Sequence, residues 1–166
     1  MQQVESFSPI AEPLATTLIL GSIPGIASLK ANQYYAHPRN AFWPLMAAIL
    51  NFDATLPYQE RVKALLTANI ALWDVLQQCE RSGSLDSAIK QGSRITNDFR
   101  SFFEQHPKIH TIAFNGAEAE KSFKKYVLAK NALPNTRLIR LPSTSPAHTI
   151  PLTEKLTAWR QLAAIE

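Results

Sequence analysis

Four short apolar runs punctuate the chain: Leu18-Ile19-Leu20, Ile70-Ala71-Leu72-Trp73, residues 109–114 (IHTIAF) and residues 136–141 (TRLIRL). Each is followed at once by a turn-forming or polar residue, respectively Gly21, Asp74, Asn115-Gly116 and Pro142. Brief runs of β-branched and large apolar residues bounded in this way predict buried strands. Between them, apolar residues recur at helical spacing. Residues 41–50 place Phe42, Leu45, Met46, Ile49 and Leu50 on one face, with Pro44 tolerated in the first turn. Residues 57–68 open on a proline and are amphipathic, another helix signature. Further helices are expected over residues 98–105, capped by Thr96 or Asn97, over 117–129 and over 152–164.

Strand–helix alternation predicts an α/β fold, a parallel sheet covered on both faces. Ligands of such sheets bind beyond the carboxyl ends of the strands. Gly21 to Gly25, Asp74, Asn115-Gly116 and the polar loop from Pro142 are therefore expected to converge on one crevice.

A length of 166 residues suits one domain spanning 1–166, large enough to bury a core without a staple. Cys79 is the only cysteine, which excludes an internal disulfide, a four-cysteine zinc site and a cysteine-ligated iron–sulfur cluster. No apolar run approaches the ~20 residues of a membrane span. The start, MQQVESFSPIAEP, lacks a basic segment leading into an apolar one, so no secretory signal is expected. These features point to a soluble, cytoplasmic protein. A net charge of +4 suggests a polyanionic partner. Its distribution sharpens the suggestion: no Asp or Glu lies between Glu12 and Asp53, or between Glu120 and Glu154. The two most unusual loops fall inside these acid-free windows. A phosphate backbone is repelled by carboxylates, so their absence favours a nucleic acid.

Gly21-Ser22-Ile23-Pro24-Gly25 has neither the Gly-Lys-Ser/Thr ending of a P-loop nor three-glycine dinucleotide spacing. It co-occurs with SLKANQYYAHPRNAFW behind it, LWDVLQQCERSGSLDSAI after the second strand, FNG after the third and LPSTSPAH after the fourth. With these segments in this order, the chain resembles the uracil-DNA glycosylase superfamily, and within it the hypoxanthine (deoxyinosine) DNA glycosylase family. The resemblance extends from Ser6 to Trp159. It implies a three-layer α/β/α fold around a four-stranded parallel sheet. The implied activity is hydrolytic removal of a damaged base from DNA, with no metal or organic cofactor; the partner expected is damaged DNA and the chain is expected to act as a monomer.

Two positions depart from the uracil and mismatch members. Those carry Asp or Asn two residues after the first glycine to orient the attacking water; here Ile23 stands there. Leu141 occupies the place of a histidine that stabilises departing uracil, which argues against efficient uracil removal. The resemblance points to Asn40 as the catalytic asparagine, with Ser22 beside it, and to Tyr35 as the ring that stacks on the flipped base. Tyr34 is either a pocket wall or a core residue. Gly21, Ile23 and Pro24 frame the base, their loop offering backbone N–H donors.

Asp74 stands where uracil enzymes read the base with Asn. It is either a reader of the N1–H of hypoxanthine or a turn cap. Ser143, Thr144 and Ser145 are candidate phosphate ligands, and His148 with Ile150 a candidate wedge into the base stack. Arg39 touches a phosphate or is simply solvated. Phe42, Trp43, Trp73 and Trp159 are assigned to the core. Competing readings are a mismatch uracil/thymine glycosylase, a non-catalytic DNA-binding relative, and a small-molecule hydrolase using Ser143 or Ser145 with His148. The last is disfavoured because the serines lack a strand-to-helix nucleophile elbow.

Overall fold

The computed structural model describes residues 1–164. Four parallel strands form the central sheet: β2 (Thr17–Gly21), β3 (Ile70–Asp74), β6 (Thr111–Asn115) and β7 (Arg137–Leu141), in the order β3-β2-β6-β7. Leu18 aligns with Ala71 on one side and Ile112 on the other, and Ile112 with Leu138. The strand runs are continuously apolar because both faces are covered. On one face Leu18, Leu20, Ala71, Trp73, Ile112 and Phe114 pack against Phe99 and Phe102 of α4 (Phe99–Gln105), Ala119 of α5 (Ala117–Ser122), and Phe123. On the other, Ile19, Leu72, Ala113, Ile139 and Leu141 meet α2 (Phe42–Leu50), α3 (Tyr58–Thr67) and α6 (Leu152–Trp159) through Phe42, Met46, Leu65 and Trp159. The four strands and the three layers match the expectation from sequence.

A second sheet was not anticipated. β1 (Gln2–Glu5), β4 (Leu76–Arg81) and β5 (Ile95–Thr96) pair antiparallel in the order β1-β4-β5. β4 follows β3 after a single residue, Val75, so the chain steps directly from one sheet into the other. A register irregularity between Leu76 and Gln78 scrambles the alternation that would betray a half-buried strand. Short α1 (Ile26–Ala31), behind the first loop, was likewise unread.

Three local expectations are corrected. The cap of α4 is Asp98, whose Oδ1 accepts the Ser101 N–H at 3.1 Å. Asn97 is spent elsewhere, donating to the buried carbonyl of Asp74 at 2.8 Å. The helix expected over 117–129 is α-helical only to Ser122 and continues with π-helical turns over Phe123–Leu128. The final helix tightens into a 3₁₀ segment over Arg160–Ala164.

Candidate active site

Because the four strands are parallel, Gly21, Asp74, Asn115 and Leu141 all lie at one rim of the sheet. A cavity of about 520 Å³ opens there. That volume falls within the ~300–1,000 Å³ typical of small-ligand sites. Of the site residues named from the sequence, Gly21, Ser22, Ile23, Pro24, Tyr35, Asn40, Asp74, Ser143, Thr144, Ser145 and His148 line it, whereas Arg39 and Ile150 lie around a separate depression with Lys155. Their surroundings assign them different work.

The floor is built around a close approach. A Cβ on Gly21 would lie 2.6 Å from Asp74 Oδ1 and 2.8 Å from the Tyr35 hydroxyl, so only glycine leaves these groups their space. Tyr35 is held at a left-handed φ of 55°. One face of its ring is stacked on Phe42 with centroids 4.1 Å apart, so only the opposite face is available to a base. Phe42 is itself fixed edge-on by Trp43 and Trp159. Among the described residues, the buried Tyr35 hydroxyl and Asp74 Oδ2 have no hydrogen-bond partner. Buried polar groups left unpaired cost free energy, and a native site retains them for a reason. Both point to a polar ligand.

Burial pushes the Asp74 carboxyl up to about 7, the negative Asp86 adding to the shift and Arg81 opposing it. Burial also drives the Tyr35 hydroxyl well above its ordinary value, with the Asp74 charge contributing, so it stays a neutral donor. Asp74 is thus no turn cap: its side chain is buried and unspent. Tyr34 resolves into a core residue that also forms pocket wall. Its hydroxyl donates to the Ser8 carbonyl at 2.9 Å, and its carbonyl accepts from the Trp43 indole.

Asn40 precedes α2, and its Oδ1 accepts the Phe42 N–H at 2.9 Å. That bond anchors the side chain and takes one of the two lone pairs of the oxygen expected to orient water. The NH₂ is also able to reach a ligand. Ile23 is buried in the apolar cluster beside Leu20 and Leu76. Pro24 offers its carbonyl to Arg81.

The loop after β7 divides its hydroxyls by role. Thr144 is buried, its backbone N–H donating to Asn115 Oδ1 and its hydroxyl accepting from Asn115 Nδ2, both at 2.9 Å. This corrects its assignment as a phosphate ligand: Thr144 locks the loop onto the end of β6. Ser143 and Ser145 are half-buried, and their oxygens accept from the Ser145 and Ala147 N–H groups. Each hydroxyl therefore keeps its proton to donate, as a phosphate contact requires. Lys155 of α6, buried beneath the loop, donates to the Ser145 carbonyl at 3.2 Å. His148 is exposed at the cavity mouth. The Trp159 indole pins the loop's first residue by donating to the Pro142 carbonyl at 2.8 Å.

Asp86 was missed. It opens a 3₁₀ turn over Asp86–Ala88, lines the cavity, and its Oδ1 accepts the Ser22 hydroxyl at 2.6 Å. The run SGSLDS belongs to a segment that carries the resemblance, but nothing in its local pattern marks Asp86 for a role. Its proximity to Ser22, 64 residues away, is decided by the fold.

Residues 9–163 match the sequence model of the uracil DNA glycosylase superfamily. The chain belongs to that superfamily. A hypoxanthine DNA glycosylase of Methanosarcina barkeri is 36% identical over 116 residues, covering 69% of this chain and 72% of that one. Another, of Methanosarcina acetivorans, is 37% identical over 114 residues, covering 68% and 71%. A solution NMR structure from Methanosarcina acetivorans, described provisionally as a uracil DNA glycosylase, superposes with a TM-score of 0.78 and 29% identity. It covers 98% of this chain and 99% of that one. In this superfamily frame, Leu141 is fully buried in the core, and no ionisable group stands at that position to stabilise a leaving base.

Proposed function

We propose that this chain is a monofunctional DNA-deoxyinosine glycosylase, hydrolysing the N-glycosidic bond to release hypoxanthine, deaminated adenine, in base-excision repair. The observation that carries the reading is the unpaired Asp74 carboxylate beside the Tyr35 hydroxyl on the cavity floor. The names of the two Methanosarcina relatives support it.

A base inside a duplex is unreachable and must be flipped out, at a cost of a few kcal/mol. Stacking on the free face of Tyr35 recovers roughly 1–3 kcal/mol. Hypoxanthine presents N1–H, a donor to ionised Asp74, where adenine presents a lone pair that the carboxylate repels. Sites built around a buried hydrogen bond discriminate strongly because a wrong partner leaves that group unpaired. As the C1′–N bond breaks, charge grows on the base. The Asn40 NH₂, the Tyr35 hydroxyl and N–H groups of the Gly21 loop are suitable donors to it. Ser143 and Ser145 donate to flanking phosphates, with Lys155 beneath their loop supplying positive charge. One chain supplies every group used, so we propose a monomer, and we place it in the cytoplasm.

The test is base release from oligonucleotides containing deoxyinosine or deoxyuridine, in duplex and single strand. Hypoxanthine release faster than uracil release is expected. Rapid uracil excision with inosine untouched would replace this reading with the mismatch uracil glycosylase. Tight DNA binding with no release from any damaged base would establish a non-catalytic relative.

A further inference from the structure

We propose that Asp86 holds the attacking water and accepts its proton. This rests on the reading that the cavity hydrolyses an N-glycosidic bond. Hydrolysis at C1′ is helped by an acceptor that aligns water on the sugar and can take its proton, and neither expected candidate can take a proton. Ile23 offers no polar atom and is buried among apolar side chains. The Asn40 oxygen is held by the Phe42 N–H, and an amide cannot act as a base. Asp74 lies buried on the floor, where the base would sit.

Asp86 lines the same cavity but is exposed where Asp74 is buried. It stands at the cavity mouth, and its Oδ1 is anchored by Ser22, the immediate neighbour of Ile23. A flipped nucleotide enters base first, so its sugar remains nearer the mouth. Asp74 thus lies on the base side and Asp86 on the sugar side, a separation suited to two different roles. With Oδ1 fixed by the Ser22 hydroxyl, Oδ2 is the oxygen for water.

The placement is engineered by tertiary contacts rather than left to a loose loop. Buried Arg81 donates from Nη2 to the Pro24 carbonyl at 2.7 Å and from Nε to the Gly83 carbonyl at 2.8 Å. Ser84 Oγ accepts the Ile26 N–H at 2.9 Å. With Ser22–Asp86, these bonds bind the loop after β4 to the loop after β2 at three points. Preorganisation of this kind is what a water-holding carboxylate needs. Although Asp86 meets solvent, protein crowds its carboxyl and holds it above the ordinary carboxylate range, despite the Ser22 hydrogen bond. That makes it a better proton acceptor near neutrality.

The step balances without a co-reactant. The C1′–N electron pair departs with the base, and water oxygen bonds to C1′. One water proton passes to Asp86, which returns it to the base anion directly or through solvent. Neutral hypoxanthine, an abasic sugar and the original carboxylate result.

The test is single-turnover hypoxanthine release by Asp86→Asn across about pH 5 to 9, beside the parent chain. Asn keeps the shape and the Ser22 contact but cannot take the proton. Release is expected to fall by about 100-fold or more across the range, with affinity for abasic product DNA unchanged. Asp86→Ala should be slow and partly restored by added formate, a response no structural role would give. Asp86→Asn within about threefold of the parent would overturn the proposal. So would Asp86→Ala that binds product DNA yet is not restored by formate. Either result with an active parent leaves the glycosylase reading standing. A parent that releases no hypoxanthine defeats both.

Discussion

The Asp74→Asn substitution should stabilise the protein while impairing it, and by an amount that grows with pH. Asp74 is 3% exposed, and burial raises its carboxyl from an ordinary 3.8 to about 7. Between those values the folded state binds a proton that the unfolded state has released. Stability therefore falls as pH rises through this window and levels off above it. At about 1.4 kcal/mol per pKa unit, the full penalty of holding the carboxylate in the fold is about 4 kcal/mol. Of this, about 2.5 kcal/mol accrues between about pH 5 and pH 7.5. Asn imitates the protonated carboxyl and carries no such penalty. Groups untouched by the substitution contribute equally to both proteins and cancel. Urea unfolding of parent and variant at the two pH values measures the gap. With a slope near 2 kcal/mol per M, the difference between their midpoints should widen by about 1 M at the higher pH. Hypoxanthine release should fall in the same variant, a trade of activity for stability common where a site strains its scaffold. A gap that stays constant, or narrows as pH rises, would refute a raised Asp74.

Asn40→Ala should leave affinity for abasic product DNA nearly intact while slowing single-turnover release by about 100-fold, as loss of a preorganised donor does. It should also lower stability by about 1 kcal/mol, measurable by urea, because the Phe42 N–H loses its acceptor. Gly21→Ala forces a methyl against Asp74 Oδ1 and the Tyr35 hydroxyl. It should cost about 1–3 kcal/mol of stability and abolish measurable release by closing the floor of the cavity.

The sequence by itself determined the central architecture. Two-sided burial leaves strands no polar face, so Leu18-Ile19-Leu20 and the run to Trp73 stand out as uninterrupted apolar blocks. Their alternation with amphipathic helices dictates a parallel sheet whose carboxyl ends share one rim. The loops at those ends were legible too, because Gly21, Tyr35, Asn40 and the serines at 143 and 145 are unusual in composition and order. What local pattern could not reveal lay where roles depend on contacts distant in sequence. The second sheet hid behind an irregular register at Leu76 and a polar N-terminal strand. Thr144 resembled its neighbouring hydroxyls until Asn115 claimed its backbone N–H and its hydroxyl. Asp74 became a near-neutral acid, and Asp86 a partner of Ser22, only when burial and the Arg81 bridge placed them. Hydrophobic periodicity is written locally and survives in one dimension. A side chain's protonation and unspent hydrogen bonds are set by what the finished fold puts around it.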